Sequence, residues 1–252
     1  MIRIIDPFIN EEEIEAVREV LQSRRLIDPH GSKIILFERM FSQFIGVRYS
    51  VATNSGTAAL HTCFASLKLN KDDEVITSPF SFVASADAIL MVGAKPVFVD
   101  IELDTYTIDT TLIEDKITDK TRVIEAVHLY GLPCNMDEIS KLANRYGLKV
   151  VEDAAQAHGA KYNGKMAGSL GDVSAFSFWP SKNITTGGGG MLVTNSEEIY
   201  NFAKLFRFAG EKGEYKHVML GYDYVMPEIQ AAIGIVQLNK INYIIEKRRR
   251  NA

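Results

Sequence analysis

Lys182 and Asp153 are the residues around which chemistry can be built. Asp153 follows the short apolar run Leu148 to Val151, and Lys182 follows a second, Val173 to Phe178. Runs of this length read as buried strands, so the amine and the carboxylate come to lie at one edge of a sheet. An amine that can form a Schiff base, with an acid that can hold a heterocyclic nitrogen protonated, suits pyridoxal phosphate. Freed from that link, the same lysine can move a proton as general acid and base. The cofactor also needs an anion seat and a flat surface. Asn54-Ser55-Gly56 turns from a strand into a helix beginning at Thr57, and a helix start presents unpaired N–H groups and a positive dipole end. Gly56, Thr57 and the hydroxyl of Ser177 are the candidate phosphate donors, and Phe82 is the candidate stacking ring.

Each candidate has a plainer reading. A lone lysine is normally solvated, an aspartate after a strand is commonly a helix cap, and the Ser55 turn can be an ordinary N-cap. The run Gly187 to Gly190 can be a tight turn. It precedes a strand instead of joining a strand to a helix, which sets aside a dinucleotide-binding fingerprint.

Alternating elements must position these groups. Asn10 and Glu13 form a capping-box pattern before a helix with Ile14, Val17 and Leu21 on one face. A second helix opens near Ser32, places Phe37, Met40, Phe41 and Phe44 on a core face, and closes at Gly46. Strands are expected at Tyr49 to Ala52, Glu74 to Thr77, Pro96 to Val99, Arg122 to His128, Leu148 to Val151 and Met191 to Thr194. Helices follow from Thr57, from Val83 to Val92, from Met136 to Tyr146, after Asn195-Ser196, and as one long stretch from Glu228 to Arg249. Asn163-Gly164 marks a turn, and 209–227 reads as a covering loop. Cys63 lies on the inward stripe of its helix and reads as a small core residue. Such alternation implies an α/β fold, a mostly parallel sheet with helices on both faces, and ligands beyond the strands' carboxyl ends.

Composition narrows the partners. The 252 residues are 46% hydrophobic, and 28 basic against 32 acidic residues give a net charge of −4 with both signs interspersed. That balance argues against nucleic acid and toward a small molecule, and the basic stretch Lys247 to Arg250 reads as a solvated helix end. The only cysteines, Cys63 and Cys134, have no metal-ligand spacing, which points to a reducing compartment. The sequence shows neither a signal-peptide h-region nor a membrane-length apolar run, so a cytoplasmic location is expected.

The motifs carry a resemblance. Glu152-Asp153-Ala154-Ala155-Gln156-Ala157-His158-Gly159-Ala160, Gly168-Ser169-Leu170-Gly171-Asp172, Phe176-Ser177-Phe178 and Lys182-Asn183 resemble the DegT/DnrJ/EryC1/StrS sugar aminotransferases, as do Ser55 to Leu60 and Glu228 to Ala232. The resemblance runs from the first helix nearly to the last residue. It implies the large domain of a fold-type I pyridoxal phosphate-dependent transferase over 1–252, with an N-terminal helical segment at 1–47. It further implies a homodimer with sites at the subunit interface, moving an amino group, usually from glutamate, to a keto group of a nucleotide-linked sugar. Carried over by motif, Lys182 is the Schiff-base lysine, Asp153 the pyridinium partner and Gln156 a neighbour of the ring hydroxyl. Gly56, Thr57 and Ser177 are phosphate ligands, Phe82 is the stacking ring, and His158 is a hydrogen-bonded structural group near the site.

The sequence departs from the family pattern in places that bear on the substrate side. Gly188 stands where the family has glutamate, and Asp223-Tyr224-Val225 stands where it has Asn-x-Arg. The family's smaller C-terminal domain is not expected within these residues. An alternative is therefore a truncated or degenerate relative that binds the cofactor without catalysis. Dehydratases of the same superfamily replace the lysine with histidine, and Lys182 is present.

Overall fold

The computed structural model describes residues 5–28 and 30–251. Its helices are α1 (Glu11–Ser23), α2 (Ser32–Ile45), α3 (Gly56–Ser66), α4 (Ala84–Met91), α5 (Met136–Tyr146), α6 (Glu197–Phe206), α7 (Glu228–Asn239) and α8 (Ile241–Asn251). Its strands are β1 (Tyr49–Thr53), β2 (Glu74–Thr77), β3 (Lys95–Phe98), β4 (Thr121–Val127), β5 (Lys149–Asp153), β6 (Lys161–Tyr162), β7 (Lys165–Met166), β8 (Val173–Ser177) and β9 (Gly190–Thr194). Seven strands form one sheet in the order β1-β9-β8-β5-β4-β2-β3. β9 runs antiparallel to β1 and β8, while the other neighbouring pairs are parallel. The carboxyl ends of β1, β2, β4, β5 and β8 therefore share one edge. β6 and β7 form a separate hairpin whose two turn residues, Asn163 and Gly164, have φ of 48° and 82°, as a type I′ turn requires.

Helices cover both faces, as the alternation predicts. On one face Val51, Val75, Val123 and Val151 meet Leu60, Cys63 and Phe64 of α3 and Ala88 and Ile89 of α4. On the other, Phe176, Met191 and Val193 meet Phe37 and Phe41 of α2 and Leu238 of α7. Farther along that second face, Ile76, Ile124 and Val150 pack on Ile139 and Leu142 of α5. Phe37 and Phe41 are fully buried, each worth about 1.5–3 kcal/mol of transfer free energy. Gly234 lets α7 approach α2 closely, since a Cβ there would lie 2.6 Å from the Phe37 ring.

The first helix differs from its expected orientation. The capping box forms, but Ile14 and Leu21 are 49% and 52% exposed, and Glu13 and Val20 are the buried residues. Glu13 accepts hydrogen bonds from Gln237 Nε2 at 2.7 Å and Lys240 Nζ at 2.9 Å. α1 thus docks on α7 partly through a polar contact, which apolar periodicity cannot register. The long C-terminal helix is also two: α7 ends at Asn239, Lys240 caps it, and α8 begins at Ile241. The apolar stripe changes face at this point, and the break lets Leu238, Ile241 and Ile244 all reach the core.

Candidate active site

Asp153 ends β5 and is 6% exposed. Its Oδ2 accepts from the Ser85 hydroxyl at 2.8 Å and its Oδ1 from the Ala155 N–H at 3.1 Å. Ser85 in turn shares a hydrogen bond with Ser81 at 2.8 Å. Lys182 lies in the loop between β8 and β9, half-buried, close enough to Asp153 for the two charges to interact. Burial pulls the Lys182 ammonium below its usual range, and the Asp153 carboxylate partly offsets this. Such an amine gives up its proton more readily than a solvated one. A cleft of about 270 Å³ opens beside it, lined among others by Phe8, Asn183, Thr185, Gln237 and Arg248.

The anion seat is built by close backbone approach. β1 ends at Thr53 and α3 begins at Gly56, with the Ser55 hydroxyl accepting from the Ala58 N–H at 3.1 Å. The N–H groups of Gly56 and Thr57 have no carbonyl four residues back within the helix, so they remain as donors at a positive dipole end. Gly56 sits directly against Ser177 at the end of β8, and a Cβ at 56 would lie 2.7 Å from the Ser177 Cβ and 3.0 Å from its Oγ. Gly190 is equally constrained, its Cβ position falling 2.3 Å from the Ser55 carbonyl oxygen. The two glycines therefore hold the helix start, β8 and β9 together, which brings the Ser177 hydroxyl beside the free N–H groups.

The remaining candidates fall around this edge. Phe82 lies just before α4 and is 70% exposed, an aromatic face open to a planar partner. Gln156 Oε1 accepts from the Tyr130 N–H at 2.7 Å, which joins the loops after β4 and β5 and leaves the amide nitrogen as the end able to meet a ligand. His158 has the structural place expected of it, held more by packing than by hydrogen bonds. It is 1% exposed among Phe41, Phe176 and Phe178, and neither ring nitrogen makes a well-formed hydrogen bond among the described residues, although the Ser177 backbone lies close enough to oppose the effect of burial. Burial, reinforced by the charge of Lys182, pulls its pKa down to about 3, so it is a neutral ring filling an aromatic pocket. Cys63 is buried as predicted, and burial, followed by the neighbouring carboxyl groups of Asp153 and Glu125, pushes its thiol well up, which suppresses nucleophilicity.

Sequence reasoning missed Ser85, which holds Asp153; the i, i+4 serines at 81 and 85 were its signal. Glu125 was missed altogether, lying inside a strand that reads as apolar. The departures also have places. Val225 is 4% exposed in the core, whereas Asp223 is exposed, with its backbone carbonyl accepting from Asn54 Nδ2. A Cβ on Gly188 would meet only Gln230 Nε2, at 3.6 Å, so no crowding demands a glycine there.

Residues 7–252 match the DegT/DnrJ/EryC1/StrS aminotransferase family. The chain is 41% identical to the GDP-perosamine synthase of Escherichia coli O157:H7 over 98% of its own length and 68% of that protein. Among solved structures it superposes on Helicobacter pylori PseC, an aminotransferase involved in the biosynthesis of pseudoaminic acid, with a TM-score of 0.94 and 34% identity over 98% of this chain and 68% of that one. It is also similar to the E. coli GDP-4-keto-6-deoxy-D-mannose-3-dehydratase with bound hydrated PLP, at a TM-score of 0.94 and 30% identity over 98% and 70% of the two chains. The chain spans about two thirds of the length of the curated relatives it matches, 65% and 68% for the first two.

Proposed function

The chain belongs to the DegT/DnrJ/EryC1/StrS aminotransferase family, and we propose that it forms the cofactor-binding large domain of a pyridoxal phosphate-dependent aminotransferase that acts on a keto group of a nucleotide-linked sugar. The observation that carries this reading is the placing of Lys182, Asp153 and the Gly56-Ser177 anion seat at one edge of the sheet. The geometry fits the cofactor: hydroxyl and N–H donors stand at a helix start, and a partly desolvated amine stands within the field of a carboxylate. Bound there, pyridoxal phosphate supplies an aldehyde for amine exchange and a ring that accepts an electron pair.

The residues of this chain do the rest. Gly56 and Thr57 hold the phosphate through backbone N–H groups, with the Ser177 hydroxyl adding a donor. Asp153, fixed by Ser85 and the Ala155 N–H, keeps a proton on the ring nitrogen. Phe82 covers one ring face, and Gln156 offers its amide nitrogen to the ring hydroxyl. Lys182 Nζ would hold the cofactor and, once free, would move a proton between the substrate's amino-bearing carbon and the cofactor's aldehyde carbon. Glutamate is the proposed amino donor, a homodimer the proposed assembly and the cytoplasm the proposed location. Among the described residues no helix is long and apolar enough to cross a membrane.

The degenerate reading draws on Gly188, Asp223 and Val225. A buried valine and a missing side chain both remove polar groups from the substrate side. Borohydride treatment of protein loaded with pyridoxal phosphate is expected to label Lys182, and Lys182→Ala is expected to abolish the label. Absence of label at saturating cofactor would sink the aminotransferase reading. Glutamate-dependent loss of the cofactor's visible absorbance separates an enzyme from a binder that only holds the group.

A further inference from the structure

Glu125 lies in the middle of β4, in register with Val151 of β5, and so shares a sheet face with Asp153 two residues farther along β5. It is fully buried. Its Oε2 accepts from the Thr77 hydroxyl at 2.6 Å, and its Oε1 has no partner among the described residues. The groups that face it are Asp153 from β5, the Cys63 thiol from α3 and the uncharged Thr77 from β2, while α4 presents Ser85 to Asp153. Asp153 is better provided, with two donors and the Lys182 charge. Two carboxyl groups on one face of adjacent strands in a dry region disfavour each other's ionisation, and Glu125, with the fewer donors, is the one pushed toward its neutral form.

We propose that Glu125 is a positioning residue acting through Asp153: it stays a neutral acid behind that carboxylate, so this part of the site holds one negative charge at neutral pH and gains a second when Glu125 ionises. The proposal rests on the aminotransferase reading, because its consequence falls on the ring nitrogen that Asp153 serves. Burial, then the Asp153 charge, pushes the Glu125 carboxyl well above its usual range, against a smaller opposing pull from the Thr77 hydroxyl. An acid raised in this way favours the folded state fully only below its unfolded value near 4.5, and that contribution is lost as pH rises toward the folded value. At pH 8 the acid therefore makes the fold less stable than an uncharged group of the same shape would. A residue kept in the core against stability is expected where a site uses its proton.

Three measurements on the full chain test this. Difference infrared spectra at pH 7 are expected to show a protonated-carboxyl band that Glu125→Gln removes, and Asp153→Asn, by removing the neighbouring charge, is expected to lower the pH at which the band disappears. Glu125→Gln is expected to raise the urea midpoint at pH 8, with the two proteins converging near pH 4. With pyridoxal phosphate bound, the wild-type absorbance is expected to show an alkaline step that moves by on the order of one pH unit, or vanishes, in Glu125→Gln. A missing carboxyl band, a lower midpoint for Glu125→Gln at pH 8, or absorbance profiles that superimpose would each overturn the proposal. Failure to bind the cofactor at all would count against the aminotransferase reading instead, and the infrared and stability results would still decide whether Glu125 is the neutral acid.

Discussion

Two buried glutamates on neighbouring strands, Glu125 of β4 and Glu152 of β5, point to opposite faces of the sheet and meet opposite fates. Both are fully buried. Glu152 accepts from the N–H groups of Gly168, Leu170 and Gly171, the Ser174 hydroxyl and His128 Nε2, at 2.7 to 2.9 Å. The Cys134 N–H donates to His128 Nδ1, which places the histidine proton on Nε2, toward Glu152. Burial pushes the Glu152 carboxyl up, but the His128 hydrogen bond and the loop N–H groups outweigh it and hold the carboxyl below its usual range. Glu125 has a single hydroxyl donor and is pushed the other way. Depth does not decide whether a buried acid is charged; the number of donors aimed at it does. One face uses a charged glutamate to fold the 168–171 loop, and the other keeps a neutral acid behind the site.

The largest test of this contrast removes the better-satisfied acid. Glu152→Ala strands His128 and the loop donors in the core and is expected to lower unfolding free energy by about 3–5 kcal/mol, read by urea denaturation. Asp153→Ala, on the site face, is expected to change stability by less than about 2 kcal/mol while abolishing glutamate-dependent bleaching of the cofactor. The pH dependences should also run in opposite senses. Glu152, with a lowered folded pKa, contributes stability that is present above 4.5 and lost as pH falls through the folded value. Glu152→Gln is therefore expected to flatten the acid limb of the stability profile, where Glu125→Gln changes the alkaline side.

Smaller effects distinguish packed from open surroundings. A Cβ on Gly171 would lie 2.8 Å from the Val150 carbonyl oxygen and 3.3 Å from Glu152 Cγ, so Gly171→Ala is expected to destabilise by about 1–3 kcal/mol. Gly188→Ala meets only Gln230 at ordinary contact distance and is expected to stay within about 0.5 kcal/mol. A large loss at Gly188 would show that the glycine run is held more tightly than its contacts indicate.

Local signals fixed much of this protein. Strand and helix alternation, the Asn10-Glu13 capping box, the Asn163-Gly164 turn and the helix stops at Gly46 and Gly147 were all legible, because each depends on neighbours within a few residues. So was the edge of the sheet that gathers Lys182, Asp153, Gly56 and Ser177, because parallel strands place their carboxyl ends together. Tertiary structure alone decided what those neighbours could not encode: that α1 docks through Glu13, that α7 and α8 part at Lys240, and that His158 is buried among phenylalanines. It also decided that of two glutamates in apolar-looking strands one carboxyl is pulled below its usual range and the other pushed above it. The physical reason is the same throughout, since a buried polar group takes its state from donors and charges brought to it by distant segments, and sequence spacing does not specify how many arrive.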